Sequence, residues 1–104
     1  MEKKVIKAQD YILPKIKQEQ KTIQLTDING NVFEAIFEVP SVKQIMLMEE
    51  NGSEFTEING SLYTKKSKVR KVEWILKNLL VMPVDLEIDH LTKLSAEELA
   101  DTFR

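Results

Sequence analysis

The chain has 104 residues, 42% of them hydrophobic, with 17 acidic and 15 basic side chains and a formal net charge of −2. This length fits one domain, residues 1–104, and the hydrophobic fraction is ordinary for a globular protein and too high for a disordered one. Because cysteine is absent, disulfides, thiolate nucleophiles and cysteine-based zinc sites are excluded. No segment approaches the ~18 apolar residues of a membrane span, so we expect a soluble, cytoplasmic protein.

The first twenty residues carry apolar side chains but no sustained period. Pro14 interrupts any helix that would run through residues 1–20. We therefore predict an arm there, with a short helix before Leu13 and an extended stretch after it.

The next stretch alternates polar and apolar residues in two runs, from Thr22 to Thr26 and from Val32 to Val39. This period of two is typical of half-buried strands. Asn29-Gly30 lies between the runs and suits the positive φ angles of a tight turn. Pro40 ends the second run because it cannot donate a ladder hydrogen bond. Residues 21–40 are therefore predicted to form a β-hairpin.

The first helix is predicted from Val42 to Glu50. Ser41 is suited to be its N-cap, and Gln44 three residues later completes a capping box. Asn51-Gly52 ends the helix, where a glycine can adopt the left-handed C-cap geometry. The side chains expected to be buried are Val42, Ile45 and Met46.

Two Asn-Gly pairs, Asn51-Gly52 and Asn59-Gly60, punctuate residues 51–64. This density of turn residues favours a mobile loop. A small second hairpin centred on Asn59-Gly60 is the alternative.

The rest of the chain is helical in pattern. From Lys65 to Val81 a helical wheel places several apolar residues on one stripe, with Ile75 at its edge, and Pro83 ends this helix. The stripe consists of Val69, Val72, Leu76, Leu79 and Leu80. Residues 81–84 must then leave the helix in an extended form.

Ser95 and Glu98 form a second capping box, which predicts a last helix with Leu99 and Phe103 on its inner face. Together these elements predict an α+β fold. One β-hairpin packs with three or four short helices, and helices predominate in the C-terminal half, residues 41–104.

We predict no catalytic residue, no metal site and no cofactor. His90 is the single histidine, and a Ser-His-Asp arrangement cannot be inferred from it. The acidic residues Asp85, Glu87 and Asp89 lack the central glycine and distal glutamate of a calcium loop. Three glycines are too dispersed for a phosphate-binding loop. The chain is therefore not expected to be an enzyme.

A basic run begins near the start of the long helix and consists of Lys65, Lys66, Lys68, Arg70 and Lys71. Such a run can form a charged contact face or bind phosphates. The acidic character of the whole chain and the lack of a nucleic-acid-binding motif argue against DNA or RNA as a partner. A small nucleic-acid-binding regulator stays an alternative.

Trp74 is the best single indication of a protein-binding surface. On the helical wheel it falls near ~140°, almost opposite the apolar stripe, and tryptophan is enriched at binding hot spots. The alternative is a helix covered on both sides, which would bury Trp74. The candidate partner-binding residues are Trp74, Met46, Met48, Lys77, Val81 and Met82.

The order of elements resembles the small tail assembly chaperones of long-tailed phages and prophages. The likeness spans residues 20–104 and follows a pattern: strand, Pro40, helix, loop, the helix with Trp74, the segment Val81-Met82-Pro83, the acidic turn and a short last helix. It is a likeness of layout and contains no catalytic fingerprint.

The resemblance implies a function in tail assembly. Members of this family are thought to coat the tape-measure protein, to help recruit the tail-tube protein and to self-associate. It also implies a protein that acts in the cytoplasm of the bacterial host and is absent from the finished virion. Another small phage structural protein, such as a head–tail completion factor, is the competing hypothesis, and it would be present in finished particles.

Overall fold

A computed structural model describes residues 5–103 and has the predicted α+β fold. Within these residues five strands form two antiparallel sheets, and three helices follow the first hairpin along the chain. The strands are β1 Gln20–Thr26, β2 Val32–Glu38, β3 Ser53–Ile58, β4 Ser61–Lys66 and β5 Leu80–Met82. The helices are α1 Val42–Asn51, α2 Lys68–Asn78 and α3 Lys93–Thr102. In the same part of the chain no helix is long and apolar enough to cross a membrane.

The first sheet contains the predicted hairpin and one further strand. β1 and β2 pair antiparallel in a register that places Gln20 opposite Glu38. β5 runs antiparallel along the other edge of β2, where Leu80 lies opposite Phe37. The predicted helix over 65–81 was too long at both ends, because residues 65–66 belong to β4, Ser67 is the N-cap and residues 80–81 belong to β5.

The hydrophobic core lies between this sheet and the three helices, and α1 contributes Met48 to it. The predicted stripe of α2 is confirmed in its centre, where Val72, Leu76 and Leu79 are buried, but Val69 at its start is exposed. Phe37 of β2 is fully buried, and its ring meets Phe103 edge to face with centroids 5.6 Å apart and an interplanar angle of 62°. Aromatic pairs favour this geometry because the positive ring edge faces the negative ring face. The predicted inward positions of Leu99 and Phe103 are confirmed.

The loop between β1 and β2 spans residues 27–31 and is organised by the carboxylate of Asp27. Its Oδ1 accepts the backbone N–H groups of Asn29 and Asn31, both at 2.9 Å. Gly30 has a φ of 84°, as predicted, but Asn29 is not among the residues with positive φ. These hydrogen bonds lower the pKa of Asp27, and the N–H of Asn31 is the largest cause.

Helix α1 begins at the predicted capping box, in which the Gln44 N–H donates to the Ser41 Oγ and the Ser41 N–H donates to the Gln44 side chain. Of the three residues predicted to be buried, Ile45 is partly buried, but the prediction was wrong for Val42 and Met46. Val42 is 75% exposed and Met46 is 58% exposed, whereas Met48 is only 2% exposed. The reason is the helix phase. Ile45, Met48 and the following Gly52 fall on one side, and α1 packs through this side on α2.

Gly52 ends α1 for a different reason from the predicted left-handed cap. Its φ is −83°, an ordinary angle for any residue. A Cβ at this position would lie 3.1 Å from the Met48 backbone oxygen and 3.5 Å from the Lys71 Cβ. The tight contact is with the backbone of α1 itself, so glycine lets the chain turn closely at the end of this helix, whereas the distance to Lys71 of α2 is ordinary packing.

Residues 53–66 form a second hairpin in place of the predicted mobile loop. Asn59 and Gly60 have φ angles of 52° and 79°, so both central residues adopt the left-handed geometry of a primed two-residue turn. The Ser67 N–H donates to the Gly52 oxygen at 2.6 Å and closes the base of the hairpin. The alternative prediction, a second hairpin centred on Asn59-Gly60, is therefore the correct one.

Helix α3 begins three residues before the position predicted from the sequence. Thr92 is its N-cap, because its hydroxyl accepts the Ser95 N–H at 3.3 Å. Ser95 is instead buried and accepts the Thr26 N–H at 2.8 Å. The Ser95 and Glu98 capping box was therefore wrong, and the hydroxyl of Ser95 ties the end of β1 to the helix.

Residues 5–19 form the predicted arm. A single turn of 3-10 helix, Ala8–Asp10, is followed by chain without regular structure up to β1. This agrees with the short helix before Leu13. Residues 1–4 of the predicted arm, and Arg104, lie outside the described residues.

We predict that Ser95→Ala lowers the free energy of unfolding by about 1–3 kcal/mol, because the Thr26 N–H loses its partner in a partly buried place. Glu98→Gln is the matched control on the exposed side of α3 and should change it by less than about 0.5 kcal/mol. Urea unfolding measures both. Equal losses would favour the capping box over the observed bond.

We also predict that the stabilising effect of Asp27 disappears in acid. Because its pKa is lowered in the folded protein, the charged form stabilises the fold above the ordinary carboxyl pKa, and this stabilisation is lost as pH falls through the folded value. The difference in melting temperature between the wild type and Asp27→Asn should be largest above pH ~5 and shrink toward pH ~3. A difference that is constant over this range would contradict the assignment.

Candidate protein-binding surfaces

The molecule is more extended than its length requires. Its Cα radius of gyration is 18.3 Å, whereas a compact domain of this length has a value of about 13 Å. The arm and the second hairpin account for the difference, since nearly all of their residues are exposed. Both appendages carry large apolar side chains, which makes them candidate contact surfaces.

The second hairpin presents an apolar pair on each face. Phe55 and Leu62 lie diagonally on one face and are 67% and 70% exposed. Ile58 and Tyr63 lie in the same way on the other face and are also exposed. Diagonal neighbours across two strands are within reach of each other, so each pair can act as one small apolar patch.

The hairpin is attached at its base. The Arg70 Nε of α2 lies 3.3 Å from the Glu54 Oε1, and both side chains are about half exposed. Such an exposed ion pair contributes little to stability, ~0–1 kcal/mol. Because two-stranded hairpins are marginally stable alone, the outer half of this hairpin gains from contact with another surface.

The arm is the second apolar surface. Its large apolar side chains are all exposed, and they are Val5, Ile6, Tyr11, Ile12, Leu13 and Ile16. The Val39 N–H donates to the Glu19 oxygen at 2.7 Å and fixes the root of the arm beside β2. Lys7, Lys15 and Lys17 make the arm basic, against Asp10 and the root residue Glu19.

An open groove of about 960 Å³ lies between α2 and the segment that follows β5. We call it the Trp74 groove. The cis peptide bond between Met82 and Pro83 connects β5 to this segment. The apolar lining of the Trp74 groove consists of Trp74, Leu76, Leu80, Val81, Val84, Leu86 and Ile88. Leu86 and Ile88 are partly buried and pack against the core, so they attach this wall of the groove to it.

The rim of the Trp74 groove is mostly acidic. Glu73 on α2 and Asp85, Glu87 and Asp89 on the opposite wall are exposed. Arg70 and Lys77 are the basic residues of the lining. An apolar floor with an acidic rim favours a ligand that is itself apolar and basic.

The structure brings three of the predicted partner-binding residues together. Trp74, Lys77 and Val81 all line the Trp74 groove. Trp74 is half-buried and packs against the core, an arrangement between the two predicted alternatives. Met46 is exposed on α1 and Met82 on β5, and neither lines the groove. Met48 was wrong as a surface residue because it is buried in the core.

The basic run does not form one face. Lys65 and Lys66 are successive residues of β4, so their side chains point to opposite sides of the hairpin. In the first turns of α2, Lys68 and Lys71 lie on the same side of the helix, and Arg70 lies on the side opposite Lys68. Glu54 partly neutralises Arg70. The five side chains are therefore divided between the two faces of the hairpin and two sides of α2.

His90 takes part in a local turn. Its Nδ1 accepts the Glu87 N–H at 3.0 Å, and the side chain is exposed. Between residues 5 and 103 no three or more His, Cys, Asp and Glu side chains are placed to hold a metal ion.

The geometry describes a small α+β domain whose apolar appendages and groove suit contact with other proteins. Comparison of the chain with protein-family models, curated proteins and solved structures finds no match. We did not predict from the sequence that the apolar pairs of the second hairpin form a surface. A signal was present, because Asn59-Gly60 between segments containing Phe55 and Tyr63 is the pattern of a hairpin with a two-residue turn.

We predict that the second hairpin is separable from the core. Replacing residues 53–66 by two glycines should leave a cooperative transition and change the free energy of unfolding by less than about 1 kcal/mol, because the base residues already meet. Chemical denaturation followed by Trp74 fluorescence measures this. Loss of cooperative unfolding would show that the hairpin is part of the core.

Proposed function

We propose that this chain is a tail assembly chaperone of long-tailed phages and prophages, which binds the tape-measure protein and associates with copies of itself in the cytoplasm of the host cell. The observation that carries the proposal is the exposure of large apolar side chains on two appendages outside a closed core. The tape-measure protein is named as the client because the order of elements in this chain resembles that of the tail assembly chaperone family.

The second hairpin is the surface best suited to the client. A long helical protein exposes apolar side chains three and four residues apart along a stripe. The pair of Phe55 and Leu62 offers a matching patch, and Ile58 with Tyr63 offers another on the opposite face. Two-faced exposure lets one hairpin lie between neighbouring helices of a client.

Magnitudes indicate that one copy binds weakly. Burying the exposed parts of four apolar side chains is worth roughly 1–1.5 kcal/mol each, or about 5 kcal/mol. Association costs ~4–15 kcal/mol in lost freedom and side-chain ordering. A stable coat therefore needs several copies that contact one another, because linked contacts raise the effective concentration of each. We therefore expect self-association, because contacts between copies would add the free energy that one copy lacks.

The proposal is tested by co-expression with the tape-measure protein of the same phage or prophage, with the soluble fraction of the client as the readout. We expect Phe55→Ser with Leu62→Ser to lower that fraction severalfold, because the apolar patch is lost while the core is untouched. Thr56→Ser with Thr64→Ser is the matched control on the same hairpin and should act like the wild type.

Two results would contradict the proposal. One is a client that is equally soluble without this chain. The other is the recovery of the chain in purified finished particles at the stoichiometry of a structural protein, which would favour a head–tail completion factor instead.

A further inference from the structure

We propose that the arm of one copy docks in the Trp74 groove of a second copy, so that self-association proceeds by reciprocal arm exchange. This inference rests on the self-association in the proposed function and is independent of the client. It names the two surfaces that meet, the arm 5–19 and the groove between α2 and residues 84–89.

The first argument is that the apolar side chains of the arm are not covered by the rest of the same chain. Its residues are exposed throughout, and Ile12 and Ile16 are 87% and 90% exposed. A segment that stays free in solution is normally poor in such side chains. Burying one isoleucine is worth ~1.5–3 kcal/mol, so a groove that accepts several of them gives a substantial driving force.

The second argument is the match of charge. Near the root of the arm Lys15 and Lys17 flank Ile16, and in the groove Glu73 and Glu87 stand on the two opposite walls. An apolar side chain between two lysines suits an apolar floor between two carboxylates. Complementary rims of this kind orient the partner and raise the association rate more than the final affinity.

The third argument concerns reach. The arm runs away from the core, and a fully extended segment of 15 residues spans up to ~50 Å. In the single chain the arm does not fold back over its own groove, where the lining residues Val84, Asp85 and Glu87 are exposed. Each copy therefore offers one free arm and one open groove, and two copies can satisfy both at once.

Charge reversal separates exchange between copies from every other arrangement. The arm variant is Lys15→Glu with Lys17→Glu, and the groove variant is Glu73→Lys with Glu87→Lys. All four side chains are exposed, so folding should be preserved. The matched control is Lys43→Glu with Lys93→Glu, which makes the same charge change at exposed positions of α1 and α3, away from the arm, the groove and the hairpin. Sedimentation velocity at low ionic strength measures the association of full-length chains.

We expect each reversed variant alone to associate about tenfold more weakly than the wild type, since two attractions become repulsions in each arm–groove contact. The control should associate like the wild type. A mixture of the arm variant and the groove variant should regain association, because each arm then meets a groove of opposite charge. Trp74 is the single tryptophan, so its protection from acrylamide should rise with association in the wild type and in the mixture.

Three outcomes would overturn the inference. Unchanged association of both variants would place the contact elsewhere, for instance at the second hairpin. Recovery only when all four changes stand in one chain, without recovery in the mixture, would mean that the arm docks in its own groove. A wild type that stays monomeric at high concentration would exclude arm exchange, while the co-expression assay would still decide independently whether the chain binds a client.

Discussion

The packing of Phe37 holds this fold together. The residue lies in the central strand of the first sheet, between β1 and β5, and is completely buried. Its ring meets Phe103 at the end of α3, so a residue near the C-terminal end of the chain closes a core that starts with a hairpin near residue 20. Removal of such a ring typically costs ~3–5 kcal/mol, a large share of the stability of a domain this small.

The core divides the molecule into a rigid part and two appendages. Strands β1, β2 and β5 with α2 and α3 enclose the buried side chains, and Ser95 and Thr92 attach α3 to the end of β1. The arm and the second hairpin lie outside this closed part. Their apolar side chains do little for folding, so they are free to serve contacts with other molecules.

Local signals predicted the parts of the fold that short-range chemistry decides. The alternation in residues 21–40 and the capping box of Ser41 each depend on neighbours within a few residues, and both are present. The inner face of α1 and the start of α3 depend on long-range packing instead. Nothing near Met48 in sequence indicates that α2 will cover it, and nothing near Ser95 indicates that Thr26 will occupy its hydroxyl.

The candidate surfaces followed the same division. The helical wheel placed Trp74 away from the core stripe but could not show that residues 84–89 return beside it to form a wall. The arm was predicted as a segment, whereas the acidic-rimmed groove is formed only when β5 pairs with β2 and brings the following residues beside α2. Sequence patterns therefore indicated single residues, and the tertiary fold determined which of them share a site.

The closed base of the second hairpin has an evolutionary consequence. The N–H of Ser67 donates to the Gly52 oxygen at 2.6 Å, so the two ends of the hairpin lie side by side where it joins the core. Hairpins of other lengths and tips can be exchanged at this junction without disturbing the buried ring of Phe37. This exposed segment, residues 53–66, can thus vary in sequence and length while the buried core stays the same.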